Sequence, residues 1–95
     1  MEKQVLFFST DSSNKCRQLY PLIEQLAREY PDLTLRHVEY GTTEESKELF
    51  EHYDVRAVPT VIFSKCGSAI DTYVDIAPIE LYRRSFKHLH ENDGD

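Results

Sequence analysis

Four consecutive apolar residues, Val5-Leu6-Phe7-Phe8, constrain this chain more than any other feature. A strand with one wet face alternates polar and apolar residues, so an unbroken run of this kind demands cover on both faces. A second such run, Val61-Ile62-Phe63, follows downstream. A sheet with doubly covered inner strands needs helices on each side of it. In 95 residues that leaves room for one domain with a single modest core.

The segments between the two runs have helical and strand periods. Thr10 to Asn14 is a loop of cap-forming residues, after which Leu19, Leu22, Ile23, Leu26, Ala27 and Tyr30 mark one helix face, ended by Pro31-Asp32. Pro21 lies inside that stretch and predicts a kink there. Leu33 to Glu39 predicts a second strand. Gly41-Thr42-Thr43 opens a second helix with Leu49, Phe50 and Tyr53 inward, and Thr43 with Ser46 or Glu45 supplies its cap. Thr60 to Phe63 and Ala69 to Val74 predict a hairpin turning through Ser64 to Ser68. Pro78 suits the first turn of a last helix that points Ile79, Tyr82, Phe86 and Leu89 inward.

The expected order is βαβαββα, an α/β fold with a mixed four-stranded sheet flanked by three helices. Its first crossover is right-handed and pairs parallel strands. The domain is expected over 1–90, with 91–95 an acidic flexible tail or linker and no structured segment before Met1.

Charge narrows the function classes. Lys+Arg 11 against Asp+Glu 17 gives a net charge of −6, a poor match for nucleic acid or an anionic membrane. No segment is long enough to span a bilayer, and Met1-Glu2-Lys3-Gln4 lacks a signal-peptide pattern. Two cysteines without a disulfide framework point to a reducing compartment, cytoplasmic or nuclear. Cys66 falls in the hairpin turn, too far from Cys16 for the Cα separation of about 7 Å or less that a bridge requires. His88 and His90 are not spaced to share one helix face, and no metal site is expected.

The chemistry-bearing stretch is Ser13-Asn14-Lys15-Cys16, placed directly after the first buried strand and at a helix start. Arg17 and Pro21 follow it, and Val58-Pro59-Thr60 leads into the second buried strand. This set resembles the thioredoxin family and implies its minimal fold, over roughly residues 4–90. On that register Cys16 holds the second, resolving position of a Cys-x-x-Cys motif and Ser13 holds the attacking one. A thioredoxin-type attack needs a thiolate at a helix N-terminus, followed by resolution of a mixed disulfide by the second thiol. Ser13 cannot supply that thiolate. Other departures agree: Ser12 stands where the family has an aromatic residue, the chain has no Trp, Phe7 takes the place of the buried acid, and Asp75 replaces a glycine.

The resemblance further implies a cis Val58–Pro59 bond and a peptide-binding edge at Val58, Pro59 and Thr60. Lys15 and Arg17 leave two readings open, solvated cations on a helix start or a site for a carboxylate such as that of glutathione.

Among thioredoxin-like domains the chain is similar to the one preceding the glutaredoxin domains of multidomain monothiol glutaredoxins of the PICOT type. That likeness includes the lone second cysteine and the stretch from Asp71 to Leu81, with Ala77, Pro78, Glu80 and Leu81. It implies a non-catalytic targeting or regulatory interaction module in redox or iron–sulfur homeostasis. Its partner would be a protein or peptide near the Pro59 loop, with a glutaredoxin domain after Asp95 and no cofactor of its own. The enzymatic alternative is a monothiol, glutathione-dependent oxidoreductase using Cys16. A third reading is a solitary scaffold subunit.

Overall fold

The computed structural model describes residues 2–92. Its elements run β1 (Lys3–Ser9), α1 (Asn14–Ala27), β2 (Thr34–Glu39), α2 (Glu44–His52), β3 (Thr60–Lys65), β4 (Ser68–Val74) and α3 (Ile79–Glu91). The four strands form one sheet in the order β2-β1-β3-β4. β1 pairs in parallel with β2 and antiparallel with β3, which pairs antiparallel with β4.

The two apolar runs became the two inner strands, and alternation along them divides the core. Val5, Phe7, Val61 and Phe63 point to the side carrying α1 and α3, with Leu19, Ile23, Tyr82 and Phe86 packed against them. Leu6, Phe8 and Ile62 point to the other side, where Phe50 of α2 meets Phe8 edge-on at 5.0 Å. Phe63 and Phe86 make a similar edge contact at 5.1 Å, worth about 0.5–1.5 kcal/mol beyond the area it buries.

Several details differ from the expected pattern. α1 stops at Ala27 with Arg28 as its cap, so Tyr30 lies past the helix, where it stacks on Phe86 at 5.8 Å. Leu22 is 45% exposed. Cys16, Leu19, Ile23 and Leu26 already fill the buried stripe, and Leu22 falls beside it. Pro21 is accommodated within α1, which continues six residues beyond it to Ala27.

The hairpin is tighter than the five-residue connection expected. β3 extends to Lys65 and β4 begins at Ser68, leaving Cys66 and Gly67 with φ of 54° and 83°. Paired positive φ values are the signature of a type I′ turn, whose twist matches that of the strands it joins. His52 Nε2 lies 2.8 Å from the Gly67 carbonyl oxygen and ties this turn to the end of α2.

At the helix starts, Thr43 caps α2 by accepting from the Ser46 N–H at 2.9 Å. Pro78 takes the cap position of α3 rather than its first turn, and Ile79 stays partly exposed. Glu91 is the last residue of α3 and Asn92 its cap, so the expected tail starts inside a helix. Residues 93–95 of that tail lie outside the described residues. Among the described residues no helix is long and apolar enough to cross a membrane.

Candidate functional site

β1 delivers the chain at Ser9 to a short loop that ends at Ser13, the cap of α1. Ser13 has extended backbone, and its Oγ accepts the Cys16 N–H at 3.2 Å. The Ser13 hydroxyl is therefore a helix cap, satisfying one of the free donors of the first turn. Cys16 is only 3% exposed and packs into the larger core half beside Leu19.

Cys66 is far from this place. Its N–H donates to the Glu2 carbonyl near the start of β1, whereas Cys16 follows that strand's other end. Both thiols are free.

The two cations beside Cys16 have intramolecular partners. Lys15 Nζ lies 3.2 Å from both carboxylate oxygens of Asp75. Arg17 donates to the Asp11 carbonyl at 3.0 Å and to Asn14 Oδ1. The Ile76 N–H and then Lys15 hold the Asp75 carboxyl below its ordinary range.

Asp75 is itself conformationally unusual, with φ of 67° in the left-handed region that favours glycine. Its N–H donates to the Pro59 carbonyl at 2.8 Å. Beneath it, Tyr82 Oη accepts the Ala77 N–H at 2.9 Å, and burial pushes that phenol's pKa up. The start of α1, the β4–α3 loop and the Pro59 loop are thus joined around one residue.

The Val58–Pro59 bond is cis. Pro59 and Thr60 are buried, and the Thr60 hydroxyl donates to the Ala57 carbonyl at 2.7 Å. Of the three residues assigned to a peptide edge, only Val58 keeps appreciable surface. What flanks it is apolar and open: Val74, paired with Thr60 across the β3–β4 ladder, is 62% exposed, and Ile76 is 46% exposed. Neither was among the expected site residues. Their signal was a polar strand whose last apolar residues adjoin the loop before Pro78.

A cavity of about 460 Å³ opens on the other side of α1, with Ser9, Cys16, Tyr20 and His37 on its wall. The motif pattern did not indicate it. The parallel register, Phe7 opposite His37 and Ser9 opposite Glu39, is what brings these side chains to one end of the sheet.

The Thioredoxin family model matches residues 1–84. The chain belongs to the thioredoxin family. Thioredoxin H5 of Oryza sativa subsp. japonica is 41% identical to it over 70 residues, 74% of this chain and 50% of that protein. An H-type thioredoxin of Picea mariana is 29% identical over 81% of this chain and 59% of its own length. The chain thus spans little more than half the length of these curated relatives.

Among solved structures, thioredoxin from Fasciola hepatica superimposes with a TM-score of 0.76 at 28% identity, covering 92% of this chain and 80% of that one. Thioredoxin O2 from Arabidopsis thaliana gives 0.80 at 24% identity, covering 95% and 76%, and establishes the fold alone. Within this thioredoxin-family domain, Ser13 is a helix cap and Cys16, three residues on, is a buried thiol.

Proposed function

We propose that this thioredoxin-family domain is a non-catalytic protein-interaction module, the targeting or regulatory part of a monothiol glutaredoxin that serves redox or iron–sulfur homeostasis. The observation that carries the reading is the oxygen at position 13. Its hydroxyl caps α1 at 3.2 Å from the Cys16 nitrogen, and it cannot form the mixed disulfide on which thioredoxin turnover depends. Phe7, fully buried beside Tyr20 and His37, offers no carboxyl to carry a proton there.

A recognition surface remains. Val58, Val74 and Ile76 border the Pro59 loop with apolar surface, which suits an extended segment with alternate apolar side chains. The likeness of Asp71 to Leu81 to the PICOT-type domains supports the link to a glutaredoxin domain, in the cytoplasm or nucleus. No cofactor is assigned to the domain.

The second reading, glutathione exchange at Cys16, has in its favour that Cys16 lines the cavity under α1. Two assays decide between them. The protein should leave insulin disulfides unreduced beyond the dithiothreitol blank, and should not take up glutathione at Cys16 from glutathione disulfide. Insulin turnover overturns the non-catalytic reading, and rapid, pH-dependent glutathionylation of Cys16 favours the second. The glutaredoxin link is tested by reading the coding sequence past Asp95 for a Cys-Gly-Phe-Ser motif, and a stop codon there ends it.

A further inference from the structure

We infer that the cavity at the carboxyl ends of β1 and β2 is a binding site for a small planar aromatic cation. This site is separate from the Pro59 surface and does not depend on that surface's role.

Its location is the first argument. β1 and β2 are parallel neighbours, and the helices that follow them pack on opposite faces of the sheet. The chain leaves the two strand ends in opposite directions and opens a crevice between them, which is where open α/β sheets place their ligands. Because β2 is an edge strand, nothing in the sheet flanks the crevice on its outer side. The volume of about 460 Å³ is within the range of small-molecule sites.

The wall chemistry selects the ligand. The Tyr20 ring and the His37 imidazole are stacked at 4.6 Å and 24°, and Phe7 meets them edge-on at 5.0 and 5.6 Å. Tyr20 and His37 thus stand at the cavity as a fixed ring pair, with Phe7 buried behind them. Ser9, which is buried, bonds His37 Nε2 through its Oγ at 2.6 Å and fixes the ring's orientation. Burial and the nearby Glu24 carboxylate push the Tyr20 phenol's pKa up.

Charge selects the sign. Asp11 and Glu39 stand at the cavity, and among the described residues no hydrogen bond or ion pair engages either carboxylate. Arg17 on the same rim is oriented by the neutral Asp11 carbonyl and Asn14 amide and keeps its charge, so two carboxylates outweigh one guanidinium there. A flat aromatic ligand packs against this ring pair, and a positive group on it meets two carboxylates against one guanidinium.

The test uses the full chain and three indoles of one shape: tryptamine, neutral indole and indole-3-acetate. In amide proton–nitrogen spectra, tryptamine should give saturable shifts at Ser9, Tyr20, His37 and Glu39. It should bind about two- to fivefold more tightly than indole, and indole-3-acetate more weakly than either. Glu39→Gln should bring tryptamine down towards indole and leave indole unchanged, which separates the charge effect from a general loss of fold. Bound tryptamine should also slow alkylation of Cys16 by iodoacetamide but not that of Cys66. Absence of saturable shifts at these residues, shifts confined to the Pro59 loop, or tightest binding by indole-3-acetate would overturn the inference.

Discussion

Replacing Ser13 with cysteine tests how much of a thioredoxin's chemistry depends on one atom. The side chain at position 13 already points back at residue 16, since its Oγ accepts the Cys16 N–H at 3.2 Å. Sulfur is a weaker acceptor, so reduced Ser13→Cys loses most of the cap, a cost of about 1 kcal/mol. For a domain this small that is a fall of about 4–8 °C in Tm. Oxidation should then join the introduced thiol to Cys16. Closing so short a loop is worth about 2 kcal/mol on the chain-entropy relation, before any strain. The oxidised mutant should therefore melt about 8–16 °C above the reduced one and a few degrees above wild type. Mass spectrometry after air oxidation should show the loss of two hydrogens in the mutant and none in wild type. Insulin reduction by the mutant should be measurable but weak, because Phe7 provides no proton carrier and Cys16 is buried. Turnover equal to that of an ordinary thioredoxin would refute the argument from Phe7. Failure of the two thiols to join would refute the geometry assigned to the start of α1.

Tyr82→Phe should cost about 1–3 kcal/mol in urea unfolding, because the buried hydroxyl that accepts the Ala77 N–H is removed; a loss below about 0.3 kcal/mol would show that water replaces it. Cys66→Asn should hold or raise stability, by up to about 1 kcal/mol, since Asn adopts the positive φ of 54° readily; a clear loss would assign the thiol a structural role. His90 bonds Asp32 at 2.8 Å and, as the largest influence, holds that carboxyl below its ordinary range. A depressed carboxyl stabilises the folded state above its unfolded pKa and loses that contribution as pH falls through the folded value. Wild type should therefore exceed Asp32→Asn in stability above about pH 4, with the gap closing at lower pH; a gap that persists there would break the link to His90.

Legibility varied with the range of the interaction. β1 and β3 were plain because doubly covered strands need no alternation, and the stripe Leu19, Ile23 and Leu26 was plain because it repeats within one helix. Leu22 and Ile79 were misplaced for one reason: periodicity gives a face but not its width, and both sit at a margin. The length of the hairpin was missed because Ser64 and Lys65 are poor strand formers, and pairing with Gln4 and Lys3 overrides that preference. At the candidate site, the Ser13 cap was readable because it joins residues three apart within a loop of cap-forming residues. The Lys15–Asp75 pair and the His37 wall were not, because each joins residues that only the finished sheet brings together.

The two halves of the core are unequal, and that inequality sets an order of opening. α1 and α3 are clamped between long buried stripes and each other, whereas α2 has nine residues and buries only Ser46 and Phe50. Phe50 against Phe8, with Leu49 and Tyr53 partly buried beside it, is a smaller anchor than either of those stripes, and α2 amide protons are expected to exchange through local excursions that leave the other face intact. His52, at the end of α2, rests on the hairpin turn through Gly67. Each excursion therefore releases the His52 contact at Gly67, while the Cys66 N–H stays bonded to the Glu2 carbonyl and Cys16 lies on the other face of the sheet.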